Sequence, residues 1–157
     1  MSIAPTLQRY LDQYVTYEMI SHTPTMSSAR TAQVCHVSGD QLAKGVILCS
    51  REMYILAILP ASHSVRLSDL AERYGGDIAF AEEREFVALF PDCDRGAVPA
   101  VGECYSLETI VDDSLDGQLD IYMEAGDHST LIHIPRAQFA ALVSDAWHGR
   151  FSVRATH

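Results

Sequence analysis

The chain has 157 residues, enough for one sizeable core, and its 48% hydrophobic content is ordinary for a globular protein. Its 21 acidic and 11 basic residues give a formal net charge of −10, which argues against broad, non-specific nucleic-acid binding. We see neither a signal peptide nor an apolar run near the roughly 20 residues of a membrane span, so we expect a cytoplasmic protein with no membrane partner.

The first part of the sequence predicts a helix, a strand and a second helix. Apolar residues at i, i+3, i+4 and i+7 predict a helix over 6–14. The β-branched and aromatic run 15–20 predicts a strand. Ser27 or Ser28 can cap a helix over 29–37.

The middle of the sequence predicts a hairpin and two further helices. The apolar runs 42–49 and 53–59 are separated by a linker of hairpin length. A helical pattern over 67–74, a short strand at 78–80 and a helix over 82–90 follow.

The last part of the sequence predicts strands over 106–111, 119–123 and 131–134, a helix from Pro135 and a loose tail over 149–157. Strands outnumber helices, and several are joined by short turns. This order favours an α+β fold with a curved mixed sheet in a single domain.

Lys44 is the only lysine of the chain, and it stands at the start of a β-like apolar run. Burying an ammonium group in a strand is unfavourable unless the group reaches water or a partner. Lys44 therefore either extends to the rim of the sheet or is held there to meet an anion.

A small-residue loop between two glycines, Gly96–Gly102, is the second informative stretch. Backbone N–H groups of such a loop can approach a ligand closely and hold a carbonyl oxygen or an oxyanion. The alternative is a tight connection between a helix and a strand, which the glycines alone favour. We call residues 96–102 the glycine loop.

Histidines and cysteines give weaker signals. Of seven histidines, His22 follows a predicted strand, and His128 and His133 lie near the last strands. A lone histidine is more often structural than catalytic. The four cysteines lack the spacing of a metal site, so we predict neither metal nor cofactor.

Three stretches in this order resemble the YbaK/EbsC family, which includes the editing domain of bacterial prolyl-tRNA synthetases. They are Ala43–Leu48, the glycine loop and Gly126–His128. Tyr17–Pro24, ahead of the Ser27 helix, adds support. The likeness runs from about Leu7 to Val143, and it is carried by the order and spacing of the stretches.

The resemblance implies one YbaK-like domain over 1–157, with its core at about 7–147 and a mixed, barrel-like sheet surrounded by helices. It implies a freestanding trans-editing hydrolase that deacylates mischarged aminoacyl-tRNA without a metal. The partner would be the tRNA acceptor end, alone or with a synthetase or another helper protein. The alternative is a non-catalytic module that binds a small aminoacyl or nucleotide ligand on the same fold.

The resemblance also implies roles for individual residues. Lys44 matches the hallmark lysine that engages the 3′-terminal adenosine region, and His133, with His128 as runner-up, matches a contributing histidine. We expect Lys44 to point into a cleft shared with the glycine loop. One departure is that the family's loop proline falls one position early, at Pro99, and Ala100 takes its place. The predicted substrate-binding residues are Gly96, Ala97, Val98, Pro99, Ala100, Gly102, His22, Asp127 and His128.

Overall fold

The computed structural model describes residues 3–95 and 97–155, except for the side chain of Phe86, so Gly96 of the predicted site lies outside the described residues. The helices are α1 (Pro5–Tyr14), α2 (Ser28–Cys35), α3 (Ala71–Tyr74), α4 (Glu83–Phe86) and α5 (Arg136–Leu142). The strands are β1 (Glu18–Ser21), β2 (Leu42–Ser50), β3 (Met53–Pro60), β4 (His63–Val65), β5 (Ala79–Phe80), β6 (Glu108–Asp112), β7 (Asp120–Glu124), β8 (Thr130–Pro135), β9 (Trp147–Gly149) and β10 (Ser152–Arg154). None of the helices in this part of the chain combines the length and apolar character needed to span a bilayer.

The main sheet follows the order β1-β8-β7-β2-β3-β6-β9, and β5 also pairs with β2. Pairs β1-β8, β8-β7 and β2-β3 are antiparallel, whereas β7-β2, β3-β6 and β6-β9 are parallel. The predicted α+β fold with a mixed sheet is therefore confirmed. Among the described strands the path is open between β1 and β9, so the sheet does not close into a barrel.

The β2-β3 hairpin forms as predicted, with Ser50 opposite Met53. Arg51 and Glu52 at its tip have φ values of 51° and 69°, and two positive φ angles give the turn that matches the twist of paired strands. The predicted helix cap is also present, because the Ser27 side chain accepts a hydrogen bond of 3.1 Å from the Arg30 N–H.

The sheet carries a cluster of buried apolar side chains on each face. The larger cluster joins one face to α1 and α5, through residues such as Leu7, Leu11 and Phe139. The opposite face holds two smaller clusters, one with Leu70 and Phe151 and the other beneath α2.

The prediction of a loose tail over 149–157 is wrong for its described part, 149–155. The run 152–154 forms β10, which pairs with β4, and Phe151 is fully buried. The Phe151 N–H donates a hydrogen bond of 2.8 Å to buried Asp112. Strands of three residues are too short to show a periodic pattern, and their burial depends on distant partners.

Candidate functional site

The main sheet is interrupted at the edge of β2 that carries Lys44. This edge pairs with β7 through Leu42 and Ala43, and with β5 through Leu48 and Cys49. Between these contacts, residues 44–46 pair with neither strand in the described part of the chain. We call this interruption the sheet gap. It lies where the sequence has its only lysine.

The glycine loop packs against β2 at the sheet gap. A Cβ atom on Gly45 would lie 2.8 Å from Leu56 Cδ1, 3.1 Å from Val98 Cγ1 and 3.2 Å from the Pro99 carbonyl oxygen. Only glycine at position 45 therefore lets the loop approach the strand this closely. Ala97 and Ala100 are fully buried in the same loop.

Four backbone amides in the described part of the glycine loop donate to no described residue, and they belong to Val98, Ala100, Val101 and Gly102. The Ala97 N–H donates to the Asp94 carbonyl at 3.0 Å, but those of Ala100 and Val101 donate to no described residue. Both of these residues are at most 1% exposed. Buried N–H groups are rarely left unpaired, so these two are candidates to receive a ligand oxygen.

Gly102 belongs to a different environment at the end of the loop. Its carbonyl oxygen accepts hydrogen bonds from the N–H groups of Tyr105 and Leu107, both at 3.0 Å. It also lines a cavity of about 320 Å³, together with Arg73 and Trp147. The geometry therefore gives Gly102 a structural role in the turn that follows the loop.

The Lys44 side chain leaves β2 on the face opposite to the loop contact. Its cross-strand partner is Leu59, whereas the partner of Gly45 is Ile58, and the two belong to clusters on opposite faces. The structure thus departs from the expected shared cleft, because side chains alternate along a strand. Lys44 and the loop are neighbours only along the edge of β2 at the sheet gap.

The Lys44 ammonium has one weak contact in the described part of the chain. Its Nζ lies 3.5 Å from the Ala61 carbonyl oxygen, and it takes part in none of the ion pairs found there. Burial lowers the pKa of Lys44 from its ordinary value. An unpaired, half-buried cation is suited to bind an anion.

The turn Gly126–His128 contacts Asp94 and Arg95, the two residues before the glycine loop, which we call the loop stem. The Asp94 N–H donates to the Gly126 carbonyl at 2.7 Å. His128 Nε2 lies 2.5 Å from the Arg95 carbonyl oxygen, which can only accept, so Nε2 carries the hydrogen. This leaves Nδ1 of a neutral His128 as a proton acceptor.

Asp127 shapes this turn through its own neighbours. Its Oδ1 accepts from the Ser129 N–H at 3.1 Å, and its Oδ2 accepts from the Thr130 hydroxyl at 3.2 Å. Such contacts are ordinary turn chemistry for an aspartate. The substrate-binding role predicted for Asp127 remains a prediction.

His133 lies on β8, away from the loop stem. Its Nδ1 and Nε2 lie 2.9 Å and 2.7 Å from carboxylate oxygens of Glu18 and Asp120. Burial alone would lower the pKa of His133, but the hydrogen bonds to these carboxylates outweigh it and raise the pKa above its ordinary value. The catalytic role of His133 stays a prediction, and the geometry favours His128 because His128 contacts the loop stem.

His22 offers a second proton acceptor. Its backbone N–H donates to the Ser129 carbonyl at 2.8 Å, so it lies beside the same turn. Its Nδ1 lies 2.8 Å from the Thr23 carbonyl oxygen and therefore carries the hydrogen. The Nε2 atom is buried without a partner among the described residues.

Glu124 is a candidate that the sequence analysis missed. It stands at the end of β7 and is 5% exposed. Burial raises its pKa to about 7, a hydrogen bond from Thr31 opposes this, and the charge of Asp127 adds to it. Because side chains alternate along a strand, the apolar Met123 indicates that Glu124 points to the opposite face of the sheet. The sequence does not show that α2 covers this face and buries Glu124.

His22, Lys44 and Glu124 share the face of the sheet that α2 covers. Leu42 and Tyr122 are paired and belong to the cluster beneath α2, and two residues further along each strand stand Lys44 and Glu124. Ile20 belongs to the same cluster, and His22 stands two residues beyond it. The face beneath α2 therefore gathers a cation, a carboxylate and an imidazole.

We predict that Gly45→Ala destabilises the protein by about 1–3 kcal/mol, because the new methyl group overlaps Leu56 and the glycine loop. Urea denaturation measures this change. Gly117→Ala is the matched control, because a Cβ atom at Gly117 meets nothing within 4 Å. Equal midpoints for wild type and Gly45→Ala would contradict the close approach.

We predict that Glu124→Gln becomes more stable relative to wild type as the pH rises from 5 to 8. The folded pKa of about 7 exceeds the ordinary 4.5, so the wild-type chain loses stability between these values, on the order of 3 kcal/mol. Glutamine does not titrate, and the raised pKa of neighbouring Cys35 keeps that thiol neutral in this range.

Urea denaturation at pH 5 and pH 8 tests this prediction. The charge of Asp127 contributes to the raised pKa of Glu124 in wild type, and this contribution is absent in Glu124→Gln, so it forms part of the expected difference. Glu108→Gln, at an exposed position of β6, is the matched control and should show no such gain. A difference between Glu124→Gln and wild type that is the same at both pH values would contradict it.

Comparison with known proteins identifies the family. The sequence profile of the aminoacyl-tRNA editing domain matches residues 22–142. No curated protein matches the chain.

Solved structures share the fold at low sequence identity. The hypothetical protein APE2540 is 18% identical, with a TM-score of 0.83 over 94% of this chain and 99% of its own. A candidate trans-editing enzyme for prolyl tRNA synthetase is 19% identical, with a TM-score of 0.80 over 97% of this chain and 99% of its own. A candidate signal transduction protein from Marinobacter aquaeolei VT8 is 21% identical, with a TM-score of 0.77 over 97% of this chain and 31% of its own. The profile match spans more than half of the chain, and the chain belongs to the aminoacyl-tRNA editing domain family.

Proposed function

We propose that the protein is a freestanding hydrolase that removes the amino acid from mischarged aminoacyl-tRNA. Membership of the editing domain family supports aminoacyl-tRNA as the substrate class. The observation that carries the proposal is the pair of buried amides at Ala100 and Val101 that have no acceptor among the described residues, in a loop packed against β2 beside Lys44. Paired amides of this kind stabilise the oxyanion formed when an ester is attacked.

The reaction is hydrolysis of the ester between the amino acid and the terminal ribose. The oxygen of a water molecule bonds to the ester carbon, and negative charge develops on the carbonyl oxygen. The N–H groups of the loop would stabilise this charge by donating hydrogen bonds. The ester bond then breaks, the ribose oxygen takes a proton, and the free amino acid leaves. Loss of one oxyanion donor typically lowers kcat by about 100-fold or more, so the loop would supply much of the rate acceleration.

The group that accepts the proton of the attacking water would be an imidazole or a hydroxyl of the ribose. His128 Nδ1 and His22 Nε2 are acceptor nitrogens next to the turn that holds the loop stem. A hydroxyl of the terminal ribose, which the family resemblance implies, would orient the attacking water. The catalytic role first predicted for His133 is less favoured, because both of its nitrogens are bound to carboxylates.

Lys44 would neutralise a phosphate at the 3′ end of the tRNA. Its ammonium has no carboxylate partner in the described part of the chain, and burial strengthens its attraction to an anion. The formal net charge of −10 restricts recognition to the acceptor end. Affinity for tRNA should therefore be weak and salt-sensitive unless a synthetase or another helper protein contributes.

A non-catalytic binding module is the second candidate, and the displaced proline favours it. Pro99 stands one position before the family's proline, and a proline cannot donate a backbone hydrogen bond. A module of this kind would bind an aminoacyl or nucleotide ligand without turnover. Thermal stabilisation by a non-hydrolysable aminoacyl-adenosine, with no release of amino acid from any mischarged tRNA, would identify it.

We predict that the purified protein deacylates at least one mischarged tRNA and that Lys44→Ala lowers kcat/KM by about 100-fold or more. The panel of substrates should include misacylated proline tRNA, because one protein of the same fold is a candidate editor for prolyl tRNA synthetase. Released radiolabelled amino acid is the readout.

Arg51→Ala is the matched control for this measurement. Arg51 is an exposed cation at the tip of the β2-β3 hairpin, with 76% of its side chain accessible, and should be dispensable. A complete panel left intact by wild type, or full activity in Lys44→Ala, would contradict the proposal.

A further inference from the structure

Glu124 is a buried carboxylate with an unused oxygen. Its Oε2 atom has no hydrogen-bond partner in the described part of the chain and no contact with solvent. Its Oε1 lies 3.3 Å from the Thr31 hydroxyl, which also lies 3.0 Å from the Ser27 carbonyl oxygen. A hydroxyl has a single hydrogen, and the nearer carbonyl competes for it, so Glu124 receives at most one weak hydrogen bond.

A buried carboxyl group in this state either takes up a proton or pairs with a cation. Removing an ion from water is unfavourable by several kcal/mol unless an opposite charge and hydrogen bonds compensate. Glu124 takes part in none of the ion pairs among the described residues, and Lys44, which shares its face, forms none with it. Since none of the described residues supplies the compensating positive charge, a ligand or a proton can supply it.

We propose that Glu124 binds the α-ammonium group of the aminoacyl moiety, which makes aminoacyl esters with a free amino group the substrate class. The inference rests on the proposed function and extends it to the amino acid end of the substrate. An ester whose amino group carries an acyl substituent would leave Glu124 unpaired and would bring a neutral amide against it. The site would discriminate strongly against such esters.

The position of Glu124 fits this role. It is followed directly by Ala125 and Gly126, and the Gly126 carbonyl accepts the hydrogen bond from Asp94 at the stem of the glycine loop. In an aminoacyl ester one carbon separates the ammonium group from the carbonyl carbon. A substrate entering at the sheet gap would place its carbonyl at the loop amides and its ammonium toward the face beneath α2, where Glu124 lies.

The test compares two substrates that differ only at the amino group. A mischarged tRNA that the protein deacylates is used as such and after chemical N-acetylation, with wild type, Glu124→Gln and the control Glu108→Gln. Wild type and Glu108→Gln should hydrolyse the free-amine substrate at least about 100-fold faster than the acetylated one. Glu124→Gln should lose about 100-fold on the free-amine substrate and about 3-fold or less on the acetylated one.

Discrimination by wild type alone can overturn the inference, whatever the folding of the variant. Equal rates on both substrates would exclude recognition of the ammonium group. An unchanged ratio in folded Glu124→Gln, checked by urea denaturation, would exclude Glu124 as the residue responsible. In both outcomes the hydrolase proposal stands, because deacylation has been observed.

Failure of the hydrolase proposal is distinguished with a stable analogue. In 3′-aminoacylamino-3′-deoxyadenosine the ester is replaced by an amide, and calorimetry measures binding of this compound and of its N-acetyl form. Binding that requires the free amine and is lost in Glu124→Gln would uphold the inference even if no tRNA is deacylated. Equal binding of both forms, or binding of neither, would overturn it.

Discussion

The close approach of the glycine loop to Gly45 is the constraint on which the rest of the site depends. A methyl group at this position would overlap a side chain of β3 and two residues of the loop. The loop therefore packs directly against the β2 backbone at Gly45, through the Val98 side chain and the Pro99 carbonyl group. Backbone donors placed in this way need little rearrangement when charge develops on a ligand, which is the condition for effective electrostatic stabilisation.

The interrupted edge of β2 connects two layers that a continuous sheet would separate. If β2 were paired along its whole edge, the Lys44 side chain and the loop contact of Gly45 would lie on opposite faces, separated by the sheet. Because β7 and β5 pair with different parts of β2, residues 44–46 pair with neither of these strands in the described part of the chain. Under the proposed function, the ester group and the amino acid would be recognised by residues that belong to different layers of the fold.

Local patterns in the sequence were sufficient for the fold class, the β2-β3 hairpin and the Ser27 cap. Each of these depends on residues that are close along the chain. Other features depend on which strands become neighbours, and a single sequence does not contain that information. They are the burial of Glu124, the direction of the Lys44 side chain and the two hydrogen bonds between His133 and carboxylates. The C-terminal strands were missed for the same reason, since Phe151 is buried through its contact with Asp112.

The presence of a single lysine has a practical consequence for chemical modification. Lys44 carries the only ε-amino group of the chain, and its lowered pKa increases the fraction of the neutral, nucleophilic amine. Among the side chains of this sequence, an amine-directed acylating reagent would therefore label Lys44. The extent of labelling, read by mass spectrometry, would report how often the edge of β2 is accessible, without any engineered probe.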